Sequence, residues 1–189
     1  MRLKKSMFFT LLFSLLIILC GCKKENEDFE ILSYDYGVFL GASADDMDYM
    51  KQFKTIVIDA QYYTNDEINE LKQNDNMVIS YINVGAIENF RDYYNDYYDI
   101  TLSNYENWEE ERWVDVSQDK WKDFIINDLS TSILNKGVDG LFIDNLDVYY
   151  QYENDNIFNG ITYIMRQLKK KTYISINGGD TYVYKYLEL

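Results

Sequence analysis

The stretch Gly137-Val138-Asp139-Gly140-Leu141-Phe142-Ile143-Asp144-Asn145-Leu146-Asp147 decides the fold. Its apolar residues, Val138 with Leu141, Phe142 and Ile143, give way abruptly to Asp144, Asn145 and Asp147. A parallel strand buried on both faces reads this way when its C-terminal end opens onto a polar site. The pattern recurs along the chain. The run 55–58 meets Asp59, the run 78–82 meets Asn83, and the run 173–176 meets Asn177 and Asp180. Polar groups at the C-terminal ends of strands are where (β/α) enzymes keep their chemistry.

Helix signals alternate with these strands. Ser43 with Asp46 three residues on, and Thr64 with Glu67, are start signals of the capping-box kind. Trp121, Phe124, Ile125, Leu129 and Ile133 form one apolar stripe over 117–136, and Gly137 stands where a C-cap belongs. Ile157, Ile161, Ile164, Met165 and Leu168 mark a second long helix over 154–170, and 181–189 reads as a short terminal one. The strands are expected at 36–41, 55–60, 77–84, 138–143 and 173–176. Residues 85–116 form a long, aromatic, acidic connection with a helical portion over 87–94, and connections of that length are usually functional.

Repeated β-α units give an α/β chain with a parallel sheet and helices outside it. An open doubly wound sheet and a (β/α)8 TIM-type barrel both fit. No Gly-x-Gly-x-x-Gly follows the first strand, which removes support for a dinucleotide site. Polar residues at nearly every strand end favour the barrel, whose loops converge on one mouth. A full barrel takes about 250 residues. The expectation is therefore an incomplete barrel of about five βα units, cut short at its C-terminus, whose open sheet edge needs a cover.

The chain opens with Arg2, Lys4 and Lys5, then an apolar run over 7–19, then Leu19-Cys20-Gly21-Cys22. The run is short for a membrane span. It resembles a bacterial lipoprotein signal, with 1–21 removed and Cys22 acylated; an ordinary signal peptide or an N-terminal anchor is the alternative. Residues 22–33 then read as the lipidated cysteine with a polar tether, and 34–189 as the barrel domain. This places the protein in the bacterial cell envelope, outside the cytoplasm and held to the membrane by lipid.

Both cysteines lie in this leader and the chain contains no histidine. That excludes a disulfide framework, a thiol nucleophile, Ser-His-Asp chemistry and the commonest metal ligand. Carboxylates, amides, tyrosines, Arg and Lys remain, and no cofactor or metal is called for. The net charge is −14, and removing 1–21 takes away three positive charges to leave −17. Nucleic acid is a poor partner for such a surface. A cationic ligand suits it, as does plain solubility.

Five phrases in order then carry a resemblance: Val57-Ile58-Asp59-Ala60-Gln61-Tyr62-Tyr63; Ile79-Ser80-Tyr81-Ile82-Asn83-Val84-Gly85 with Glu88 and Arg91; Glu111-Arg112-Trp113-Val114-Asp115-Val116; the opening stretch; and Ile176-Asn177-Gly178-Gly179-Asp180. Together they resemble glycoside hydrolase family 114, the endo-α-1,4-polygalactosaminidase family, from about residue 36 to 180. The resemblance implies a (β/α)8 barrel acting on galactosamine-containing polymers, which are cationic when not acetylated. It implies that Asp144, at the end of the fourth strand, is an essential carboxylate. Its Glu partner is expected on a strand beyond this chain.

Glycoside cleavage generally needs two carboxyl groups, one protonated and one ionised. Asp144 is the expected nucleophile or base. Asp59, Asp147, Glu111 and Asp180 are the candidates for the second carboxyl, or for holding a substrate ammonium. Asp59, Asn83, Asn145, Asp147, Tyr149, Asn177 and Asp180 are the expected substrate contacts. Each also has a plain structural role open to it as a strand-end cap or loop tie. Arg91 is expected to pair with Glu88 at i+3 spacing. Trp108 and Trp113 either stack on sugar or pack beneath the loop, and Trp121 belongs to the core. Two functions remain: a tethered glycosidase of amino-sugar polymers, or a non-catalytic or vestigial lipoprotein that binds cationic glycan.

Overall fold

The computed structural model describes residues 34–188. The leader, the tether and Cys22 lie outside the described residues. Five parallel strands, β1 (Tyr34–Phe39), β2 (Phe53–Ile58), β3 (Met77–Asn83), β7 (Gly140–Asp144) and β8 (Tyr173–Ile176), form one sheet in the order β1-β2-β3-β7-β8. The succession is that of a TIM-type barrel, with each strand beside the one before it. β1 and β8 are the edges, so the described residues make an incomplete α/β barrel of five strands.

Alternation along these strands separates two faces. Ile56, Ile58, Val78, Ile82, Leu141 and Ile143 point to the helices and join the main core. Val57, Ile79, Tyr81 and Phe142 form a second cluster on the other face, toward the barrel interior. That inner face is open at the edges, where Tyr36, Val38 and Tyr173 are exposed.

The helices begin and end where the sequence signals them. Thr64 caps Asn65–Leu71 in a full capping box with Glu67, and Ser43 does the same with Asp46. Asn154 caps the long helix Asp155–Lys171, which buries Ile157, Phe158, Ile161, Ile164, Met165 and Leu168 against the sheet. Complete burial of one such side chain stabilises by about 1.5–3 kcal/mol. The helix over 119–134 contains a π-helical segment, Phe124–Leu129, and the Ser130 hydroxyl donates to the Ile126 carbonyl there at 2.7 Å. It ends at Leu134 with Asn135 as its C-cap, and Gly137, in the turn just beyond, takes the left-handed φ of 97° and donates its N–H to the Leu134 carbonyl at 3.0 Å.

The long connection differs from expectation. Residues 87–94 are not a helix. β4 (Ala86–Glu88), β5 (Thr101–Tyr105) and β6 (Trp108–Val114) form a separate antiparallel sheet in the order β4-β6-β5, and only Tyr94–Tyr97 is α-helical. β4 is three residues long and gains its conformation by pairing with β6, more than twenty residues later. A pairing of that range leaves no local periodicity to read. This small sheet follows β3 directly, so it stands next to the strand ends.

Candidate active site

The register of the main sheet brings three polar side chains together. Asn83, the last residue of β3, is the cross-strand partner of Asp144, the last residue of β7. The Asn177 backbone N–H extends β8 by donating to the Ile143 carbonyl at 2.8 Å, and its side-chain amide donates to Asp144 Oδ1 at 2.8 Å. Asp144 is half-buried. Burial raises its pKa, opposed by the Asn177 amide and the backbone N–H of Asn145.

β6 contributes a second carboxyl to this place. Glu111 Oε2 accepts from Asn83 Nδ2 at 3.2 Å and from Asn145 Nδ2 at 3.0 Å. Asn145 also donates to Asn83 Oδ1 at 3.0 Å, and that oxygen accepts the Ala86 backbone N–H at 2.9 Å. Two asparagine amides therefore tie the end of the main sheet to the small sheet through one carboxyl group. Burial, and then the Glu88 carboxylate, push the Glu111 pKa up to about 7. The asparagine amides pull the other way, while Asp144 adds to the rise. A carboxyl group in that range exchanges its proton near neutrality, as a general acid must.

Behind Glu111 lies a buried charged cluster. Glu88 is the direct cross-strand partner of Glu111 on the β4–β6 ladder. Its Oε1 accepts from the Tyr81 hydroxyl at 3.1 Å and from Arg91 Nη2 at 3.0 Å. The same Nη2 reaches Asp59 Oδ2 at 2.7 Å. Only 3% of Glu88 is exposed, and its Oε2, like Arg91 Nε, has no hydrogen-bond partner. Burial works against the Arg91 charge, but Glu88 and Asp59 outweigh it and raise its pKa. Tyr81 is held in its phenol form by burial and by the neighbouring Glu88 and Asp144 charges.

A cavity of about 450 Å³ opens over this cluster. Asp59, Glu88, Glu110 and Glu111 supply its carboxylates, and Tyr62, Phe90 and Trp108 stand exposed around it. The Arg91 guanidinium lies 5.1 Å from the Phe90 ring centroid and 5.5 Å from that of Tyr62. Such a mouth offers flat apolar faces beside negative charge, which suits a sugar ring bearing an ammonium group. Asp144 does not line this cavity; it stands on the Asn177 side of Glu111's amide pair.

The expected site residues fall into two groups. Asn83, Asp144, Asn145, Asn177 and Glu111 come together, and Asp59 faces the adjoining cavity while bound to Arg91. The remaining three have other surroundings. Asp147 accepts the Gly179 backbone N–H at 3.1 Å with each oxygen, fixing the turn before the helix Asp180–Leu187. Tyr149 is 1% exposed, packs against Phe158, and its hydroxyl accepts from Lys185 at 2.9 Å, so its ring is out of reach of a ligand. Asp180 is exposed in the first turn of that same helix. Arg91 pairs with Glu88 as its spacing implied. The two loop tryptophans separate: Trp108 is 62% exposed at the cavity, and Trp113 is buried and stacked on Tyr105 at 4.1 Å. Trp121 is in the core. Tyr62, Tyr81 and Phe90 were not singled out from sequence. Tyrosine, with 19 copies, is too common in this chain for its polar-tipped ring to mark the first two. Among the described residues no group of three or more carboxylates is arranged to hold a metal ion.

Comparison with known structures returns barrel enzymes. The glycoside hydrolase domain of PelA from Pseudomonas aeruginosa matches with a TM-score of 0.63 and 16% identity over 78% of this chain and 60% of that one. Ega3 from Aspergillus fumigatus, solved in complex with galactosamine, matches with a TM-score of 0.63 and 20% identity over 82% and 63%. The α-galactosidase TtGalA from Thermus thermophilus matches with a TM-score of 0.56 and 12% identity over 76% and 37%. At these identities the likeness is one of fold, and this chain spans about three-fifths of the length of PelA's domain and of Ega3. No curated protein matches. The family model for glycoside-hydrolase family GH114 matches residues 23–176, nearly the whole of the described sheet and its helices. The chain belongs to glycoside-hydrolase family GH114.

Proposed function

We propose that this protein cleaves α-1,4-linked galactosamine-type polysaccharide, with Asp144 as the ionised carboxylate and Glu111 as the proton donor. The observation that carries this reading is the pair of asparagine amides that join the two carboxyl neighbourhoods, Asn83 being register partner to Asp144 and hydrogen-bond donor to Glu111. In this reading the C1–O bond breaks as Glu111 gives its proton to the leaving oxygen. Asp144 meets the positive charge that develops at C1, or activates the water that replaces the leaving group. The exposed rings of Tyr62, Phe90 and Trp108 bear on sugar faces, and the surrounding carboxylates attract the ammonium groups. Ega3, a structural neighbour, was solved with galactosamine bound, and the charge of this chain, −14, favours the same class of cation. Acylation at Cys22 would hold the domain at the outer face of the envelope membrane, beside such a polymer; a Cys22→Ala variant that still partitions with membranes removes that part.

The test is a reducing-end assay on α-1,4-galactosamine oligomers with the unaltered chain, Asp144→Asn and Glu111→Gln, each shown folded by circular dichroism. New reducing ends from the unaltered chain, lost in both variants, are expected. Saturable binding without new ends would instead identify a glycan-binding protein, and neither binding nor cleavage would end the proposal.

A further inference from the structure

Glu88 and Glu111 stand directly opposite each other on the antiparallel β4–β6 ladder. Two ionised carboxylates so placed repel, and burial strengthens the repulsion. The fold does not treat the two alike. Glu88 has a cation and a phenol: Arg91 Nη2 at 3.0 Å and the Tyr81 hydroxyl at 3.1 Å, with the same Nη2 also donating to Asp59 at 2.7 Å. Glu111 has no cation within salt-bridge distance among the described residues, only the neutral amides of Asn83 and Asn145. Neighbouring carboxyl groups whose surroundings differ in this way divide the roles of charge and proton between them.

We infer that Glu88, fixed as the carboxylate by Arg91 and Tyr81, is the positioning residue that keeps the proton of the pair on Glu111. This rests on the proposed role of Glu111 and adds to it the device that maintains its protonation. β4 presents Glu88, β7 presents Asp144, β3 presents Tyr81 and β5 presents Tyr105; Asp59, Arg91 and Glu110 share its cavity. Of the carboxylates, Glu88 has the strongest effect on Glu111, ahead of Asp144. Arg91 is one cation shared between two carboxylates, Glu88 and Asp59, so it does not offset the charge of both. The unpartnered Oε2 of Glu88 concentrates part of that charge where no donor offsets it.

The experiment is a carbon-13 titration of the glutamate side-chain carboxyls in the full chain without substrate. It therefore reads the pair whether or not the chain cleaves glycan, while the reducing-end assay judges the enzyme reading alone. In the unaltered chain the Glu111 carboxyl carbon is expected to show the full titration step near neutrality. In Glu88→Gln, which preserves shape, the Glu111 midpoint should fall by about one pH unit or more. Glu88→Asp, which restores the charge, should return it most of the way. A Glu111 midpoint unmoved by Glu88→Gln would overturn the inference. So would a full step at Glu88 in place of Glu111 in the unaltered chain, a result that needs no variant to fold.

Discussion

Asn145 holds a left-handed backbone conformation, φ 62°, and from it donates to Glu111 at 3.0 Å. The conformation and the contact belong together. The chain must turn sharply as β7 ends, and an asparagine tolerates that turn while its short amide reaches across to β6. Alanine tolerates the turn poorly and donates nothing; glycine tolerates it fully and donates nothing. Asn145→Ala is therefore expected to be less stable than Asn145→Gly by about 1 kcal/mol, measured by urea unfolding. Both variants remove a donor that favours the carboxylate form of Glu111, so both should raise its protonation midpoint. Equal stability of the two would mean that the backbone conformation carries no strain.

The raised pKa of Glu111 makes folding depend on pH in a definite direction. A free glutamate titrates near 4.5, and the folded group near 7. Below the lower value both states hold the proton and there is no penalty. Between about 4.5 and 7 the unfolded chain loses its proton first, so stability is lost as pH rises through this window, and the deficit is constant above it. Glu111→Gln has no such proton. The Tm difference between Glu111→Gln and the unaltered chain is expected to grow in favour of the variant from pH 4.5 to pH 7. A constant difference across that window would show that Glu111 titrates as a free side chain.

Gly85 sits where two sheets meet. A Cβ there would lie 1.7 Å from the Asn145 carbonyl oxygen, while its own carbonyl accepts the Val114 N–H at 3.0 Å. The obstructing atom is backbone and cannot rotate away. Gly85→Ala has to separate β3 from the β7 turn, and with it Asn83 and Asn145 from Glu111. A loss of about 3 kcal/mol or more is expected, read as a lowered urea midpoint, with the Glu111 titration disturbed in any folded remainder. Wild-type stability in this variant would contradict the close approach.

How much of this was legible in the sequence follows from the range of the interactions. Asp144, Asn83 and Asn177 were readable because each ends an apolar run, and a parallel register carries such ends to one level. Thr64, Ser43 and Gly137 were readable because signals at helix ends act within a turn of their own position. β4 was not, since Ala86, Ile87 and Glu88 become a strand only against residues 111–113. The asymmetry between Glu88 and Glu111 was out of reach for the same reason. It depends on Arg91 meeting Asp59, more than thirty residues away. Asp147 and Tyr149, expected as substrate contacts, lie just after Asp144 in sequence, yet Asp147 turns to Gly179 and the helical turn Val148–Gln151 carries Tyr149 into the core. Closeness in sequence to a site is weak grounds for a role once the chain turns helical.

Trp121 and Trp108 should respond oppositely to substitution. The Trp121 indole N–H donates to the Val84 carbonyl at 2.9 Å inside the core, satisfying a backbone group that has just left β3. Trp121→Phe keeps most of the ring but strands that carbonyl, at a cost of about 1–3 kcal/mol. Val84 separates Asn83 from Gly85, so the loss is expected to loosen the asparagine link to Glu111 as well. Trp108 is mostly exposed beside the cavity, and Trp108→Ala should leave stability within about 0.5 kcal/mol. Its effect should appear in the binding of galactosamine oligomers, weakened because a flat face for the sugar ring is gone. Urea unfolding and a binding titration on both variants separate the two roles. A Trp108→Ala chain that unfolds early but binds normally would make this ring a packing element and move the glycan elsewhere on the mouth.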